Sequence, residues 1–245
     1  MAKKLVLLGS IGVLAETSDI QRQAYNQALD EAGLTWRWNR ETYSALLNHT
    51  GGQDRLQLLS DATGAGLTAD KIASIHARKT QIACAHLRET GVDLRPGVAT
   101  LIAQCLENGI ALGLVTTTYQ ENIDAIADAA GASLALSRFD IIVSRADVAA
   151  GKPDPAAYFH ALRRTGIAAA DTIALEDTSA SILSARQVGL PVIATPGALT
   201  RDQNFFDAAL VLESLAGAAN GLNPELAETI FEGRRKPALK LASAS

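Results

Sequence analysis

Apolar positions along the chain come in two textures. Unbroken runs occur within residues 5–8 (LVLL), 110–115 (IALGLV), 139–148 (FDIIVSRADV), 172–178 (TIALEDT) and 190–197 (LPVIATPG). Strands of a parallel sheet, buried on both faces, have this continuous apolar look. Between the later runs, apolar residues return every three or four positions, as in RPGVATLIAQCLENG (95–109), QENIDAIADAAG (120–131), GKPDPAAYFHALRRTG (151–166) and SASILSARQVG (179–189). That is the helical period. Strands alternating with helices through short connections predict an α/β fold with a doubly wound parallel sheet.

The first run breaks the rhythm. No second strand pattern appears until residue 110, and the chain between carries helical spacing at 17–32, 40–48, 53–62 and 68–89. The first of these helices has Ser18 or Asp19 available as an N-cap and Gly33 as a stop. A TGG triplet at 50–52 reads as a hinge. The pattern predicts a core of residues 1–14 and 91–223, a small α-helical insert at 15–90, and a C-terminal helix and tail at 224–245.

Composition narrows the class. The 245 residues are 48% hydrophobic, 4% aromatic and 20% charged, a globular and helix-rich balance. A net charge of −4 points away from nucleic acid and anionic membranes as partners. Two cysteines, Cys84 and Cys105, lack metal-ligand spacing and suit a reducing cytoplasm. MAKK followed by LVLLGSIGVLA has the outline of a secretory signal, but VLAET lacks a small-x-small cleavage pair, and a first strand is the better reading. No window is long and apolar enough to span a bilayer.

Ligands of doubly wound sheets bind at the carboxyl ends of the strands. The run at 110–115 ends in Thr116, Thr117 and Thr118. Their hydroxyls and free N–H groups suit an anion, although consecutive β-branched residues also suit a strand, so the run supports either reading. Lys152 sits in a proline-braced turn, and Glu176–Asp177 ends another strand with Thr178 as a cap. Two acids there are hard ligands suited to Mg²⁺, or favourable charge at a helix start.

At these separations the segments together resemble the haloacid dehalogenase-like phosphatase superfamily over nearly the whole chain. The insert resembles its small helical cap. In detail, LAETSDIQRQAYNQAL (14–29) and TWRWNRETYSALLNHTGGQDR (35–55) look like the subgroup of β-phosphoglucomutase and the xylulose-bisphosphate phosphatases. The resemblance implies phosphate binding by Thr116, Thr117 and Lys152 and Mg²⁺ binding by Asp177 beside Glu176. It also implies sugar-phosphate contacts from Glu16, Gly52, Arg55 and Lys79.

One segment departs from the family. Its first strand ends in Asp-x-Asp-Gly-Thr-Leu, and here Gly9 stands for the nucleophilic Asp, Ile11 for the general acid/base and Val13 for the Thr. Gln21 replaces a frequent His, and Ser181 a small Gly. Strand alternation aims the Ser10 hydroxyl away from a bound phosphate. Losing the nucleophile of a catalytic unit typically costs on the order of 10⁴–10⁶ in rate. The expected protein is therefore a pseudoenzyme that keeps a site for a phosphorylated small molecule or inorganic phosphate and binds Mg²⁺ weakly. A sugar-phosphate hydrolase with an unorthodox nucleophile and a structural protein partner, using the basic residues 234–236, are the alternatives.

Overall fold

The computed structural model describes residues 3–49 and 51–216. Six parallel strands form one sheet in the order β3-β2-β1-β4-β5-β6. They are β1 (Leu5–Leu8), β2 (Ala111–Val115), β3 (Ile141–Val143), β4 (Thr172–Glu176), β5 (Val192–Ala194) and β6 (Leu210–Val211). Leu5 pairs with Ala111 on one side and Thr172 on the other, so β1 is central. The chain winds outward to β3 and returns to β4 beside β1. The strand order reverses there, where such sheets open a crevice.

Alternation along the strands divides the core in two. Val6, Leu8, Leu112, Leu114 and Ile173 face one layer with α5 (Val98–Glu107) and α6 (Gln120–Ala130). Leu5, Leu7, Ala111, Val115 and Ala174 face the other with α7 (Ala156–Thr165) and α8 (Ser179–Gln187). This is why the strand interiors are apolar: both faces are covered, and the polar Thr172 and Glu176 stand at the two ends of β4. Within β2, Gly113 is set by packing, because a Cβ there would strike Leu7 Cδ2 and lie 2.8 Å from Ile141 Cγ2.

Between β1 and α5 lie α1 (Ser18–Glu31), α2 (Arg40–Leu46), α3 (Gly52–Thr63) and α4 (Ala69–Thr90). They enclose a third core around Tyr25, Trp38, Tyr43, Leu56, Ile72 and Ile75. The Tyr25 and Trp38 rings stand 4.7 Å apart, centroid to centroid. α4 packs along both α1 and the core helix α6.

Several expectations shift. The N-cap of α1 is Thr17, not Ser18 or Asp19, and no side chain caps it; Ser18 N instead donates to Glu16 Oε1 at 3.2 Å. The short edge strand β6 has no counterpart in the apolar pattern, since two residues are too few to show a period. Thr50 of the TGG triplet, residues 217–223 of the expected core, and the 224–245 tail with its basic residues lie outside the described residues. Among those described, no helix is long and apolar enough to cross a membrane.

Candidate functional site

The cleft forms where β1, β2 and β4 end. Gly9 N still pairs with Leu175 O at 3.0 Å, and the chain then turns: Leu14 N donates to Ser10 O at 2.9 Å and Gly12 takes φ +79°. Strand alternation stops at Leu8, so the expected outward aim of Ser10 is wrong. Its hydroxyl donates to Thr116 Oγ1 at 2.9 Å, inside the cleft. Thr116 Oγ1 also accepts from Thr118 N at 3.2 Å, which leaves its own proton for a ligand. Arg95 holds the turn from behind, donating to Gly12 O and, at 2.8 Å, to Pro196 O.

Lys152 is not the solvated charge an isolated Lys suggests. It is 4% exposed, and Nζ donates to Val115 O at 2.9 Å and to Glu176 Oε1. Tyr158, whose ring lies 4.9 Å from that ammonium, donates its hydroxyl to the same oxygen. Burial first, and then Glu176, hold the Tyr158 phenol well above its usual range. Asp177 is likewise pushed well above an ordinary carboxyl, by burial first and then by the charges of Glu176 and Glu16. A Cβ at Gly12 would overlap the Asp177 carboxyl. Val13 is buried in the sheet core.

The helical block closes the cleft from above. Lys79 Nζ, on α4, donates to Gln21 Oε1 at 2.7 Å and lies 4.9 Å from the Tyr25 ring centre. Burial, with Arg55 nearby, lowers Lys79 to about 7. Burial together with Lys79 and Arg55 lowers His76 to about 3, so it is neutral at ordinary pH. Gly52 begins α3 where a Cβ would strike His76 Nε2 and the Tyr25 hydroxyl. That hydroxyl is buried with no hydrogen-bond partner among the described residues. Arg55 Nε is fixed on Leu46 O and His49 O at 3.1 and 2.9 Å. Gln21 Nε2 reaches Asn122 Oδ1 of α6 at 3.4 Å, so the residue that replaces the frequent His bridges block and core.

Together these residues enclose about 200 Å³. Thr116, Thr117, Lys152, Glu176, Asp177, Gly52, Arg55 and Lys79 line it, with Ile11, Gln21 and Ser181. Glu16 does not. Its carboxylate accepts from Ala198 N at 2.8 Å and from Ser18 N, tying the loop after β5 to the start of α1. Sequence reasoning missed Tyr25, His76 and Arg145 on the lining and Tyr158 behind it. Their spacing carries no signal, since core aromatics and surface arginines look the same in a sequence.

The charge pattern favours an anion. Lys79, Arg55 and Arg145 stand in the cleft with no carboxylate partner among the described residues, whereas Glu176 is spent on Lys152. A divalent metal is poorly served. Among the described residues only Glu176 and Asp177 offer carboxylates at the strand ends, and one already holds an ammonium. Among the described residues no group of three His, Cys, Asp or Glu gathers to hold an ion. The donor set does not fit the octahedral oxygen shell of Mg²⁺.

A sequence model described as haloacid dehalogenase-like hydrolase matches residues 12–195, starting just past Gly9 and Ile11. Protein CbbY of Rhodobacter capsulatus is 37% identical over 226 residues, 92% of this chain and 100% of that one. A mutant CbbY from Rhodobacter sphaeroides, solved in complex with xylulose-(1,5)bisphosphate, is similar with a TM-score of 0.80 and 35% identity. The match covers 89% of this chain and 98% of that one. A β-phosphoglucomutase from Clostridium difficile shares the fold at 17% identity, with a TM-score of 0.77 over 95% of this chain and 98% of that one.

Proposed function

The chain belongs to the haloacid dehalogenase-like hydrolases, and on that premise we propose that it binds a phosphorylated sugar between core and cap without hydrolysing it by the family's carboxylate route. The observation that carries this is the mismatch within one cleft. Hydroxyl and cationic donors converge on it, while the position of the nucleophile is Gly9 and that of the general acid is Ile11. Thr116, held by Ser10, offers its hydroxyl proton from the core, and Lys79 and Arg55 offer charge from the helical cap at 15–90. Relatives support the ligand class, since CbbY from Rhodobacter sphaeroides was solved with xylulose-(1,5)bisphosphate and with phosphate. Mg²⁺ binding is weak in this reading, because Glu176 and Asp177 are the only carboxylates at the strand ends among the described residues, and Asp54 stands across the cleft on α3.

One observation favours a second reading, a sugar-phosphate hydrolase. The Ser10 hydroxyl lies against Thr116 and offers an oxygen nucleophile that the strand pattern had excluded. Two assays separate the readings. Xylulose bisphosphate or inorganic phosphate raises the melting temperature, because a ligand that binds only the native state stabilises it by roughly 2.7 kcal/mol at a hundred times its Kd. Phosphate release from sugar bisphosphates stays at background with or without Mg²⁺. Release that is abolished in Ser10→Ala establishes the hydrolase instead. A melting curve unmoved by millimolar ligand leaves a structural partner of other proteins.

A further inference from the structure

The carboxylate that the end of β1 lacks has a neighbour in its place. An ideal Cβ on Gly9 would lie 2.6 Å from Glu176 Oε2 and 3.1 Å from its Cδ, so the Glu176 carboxyl fills the volume a side chain at position 9 would need. Its two oxygens are unequally employed. Oε1 accepts from Lys152 Nζ and from the Tyr158 hydroxyl, while Oε2 accepts no hydrogen bond among the described residues. Glu176 is 2% exposed, yet it lines the cleft with Ser10, Thr116 and Lys152. One anchored oxygen fixes the direction of the other, and the free oxygen shares a small cavity with an anion cradle. Such positioning is what nucleophilic attack at phosphorus requires.

We infer that Glu176 is a phosphoryl acceptor, modified by an acyl phosphate bound in the cleft. The inference rests on the anion-binding reading above, because the same hydroxyls and cations must first hold the donor. A lone pair on Oε2 forms the new P–O bond, and the donor's bridging P–O bond breaks with its electron pair leaving on the departing carboxylate. One mixed anhydride replaces another, so no proton, metal or oxidant enters the balance. The missing proton donor selects the donor class. A sugar alkoxide needs a proton as it leaves, and Ile11 has none to give; a carboxylate leaves as it is. Attack of water on the glutamyl phosphate lacks the base that a carboxylate at position 11 would supply, so the modified protein is expected to accumulate instead of turning over.

The test uses the full-length chain and acetyl phosphate, read by intact-mass spectrometry and by peptide mapping after borohydride reduction. The expected result is one phosphoryl group per chain, released by hydroxylamine, mapped to Glu176 and absent in Glu176→Gln. Gly9→Ala tests the geometry without removing the carboxylate. Its Cβ displaces Oε2, and a misplacement of about 1 Å is expected to slow labelling by about 10²-fold. Melting curves in inorganic phosphate run in parallel. A thermal shift with no label overturns the acceptor role and leaves the binding reading standing; neither shift nor label overturns both. A hydroxylamine-stable label on Ser10, or labelling undiminished in Glu176→Gln, also overturns the assignment.

Discussion

Among the cations that line the cleft, Lys79 is the one whose charge is governed by burial. Desolvation and the neighbouring Arg55 bring it to about 7, and its one hydrogen-bond partner among the described residues is the neutral Gln21. Below that pH the ammonium is present and attracts an anion; above it the amine is neutral and the attraction is gone. His76, at about 3, adds no titration in the same range. Sulfate, whose charge is constant here, isolates the effect. Its affinity should fall by roughly tenfold, about 1.4 kcal/mol, between pH 6 and pH 8. Lys79→Met should bind weakly at both pH values and lose the step. Calorimetric titration checks this, and an equal pH step in Lys79→Met would assign the titration elsewhere.

At the scale of elements, the site depends on how closely β1 and β2 approach. Gly113 sits opposite Leu7 in the register and leaves no room for a side chain between Leu7 and Ile141. Gly113→Val should therefore destabilise the protein by about 1–3 kcal/mol through overpacking, despite the higher strand propensity of Val. Urea denaturation measures it, and a neutral or stabilising result would show that the sheet relaxes more readily than its packing implies. The helical block depends on contacts of another kind. Gln21 joins α1 to α4 through Lys79 and to α6 through Asn122, and Glu16 joins the start of α1 to the loop after β5. These polar bridges orient the block over the strand ends, whereas its own aromatic core holds the block together.

For the whole molecule, restoring the family's first-strand residues is a structural problem as well as a chemical one. Gly9→Asp alone introduces a Cβ against Glu176 Oε2 and Val13 Cγ2 and sets two buried carboxylates side by side. It should lower the melting temperature and yield little activity. Gly9→Asp with Ile11→Asp and Val13→Thr adds the proton donor and completes a ligand set for Mg²⁺, which can draw the acids together. The triple variant should therefore be stabilised by Mg²⁺ where the parent is not, and should release phosphate slowly from an aryl phosphate. Differential scanning calorimetry and a phosphate-release assay check both. A triple variant insensitive to Mg²⁺ would mean that Glu176 keeps its place beside Lys152.

Much of this was legible in the sequence, for a definite reason. Strands covered on both faces must be apolar along their interiors, so the continuous runs marked β1 to β5 by themselves. The helical period across residues 17–89 likewise marked the block between β1 and the rest of the sheet. That positions 9 and 11 carry no carboxylate is also a sequence fact, because no packing gives glycine or isoleucine one. The tertiary structure decided what depends on partners far apart in the chain. Ser10 points into the cleft because the strand ends two residues before it and the chain turns, which a period of two cannot reveal. Glu16 serves Ala198 because the loop after β5 comes back beside it. Glu176 occupies the space above Gly9, and burial brings Lys79 near neutrality, only once β1, β4 and α4 are packed together. Local periodicity reports which face of an element is buried; the identity of the neighbour across that face belongs to the fold.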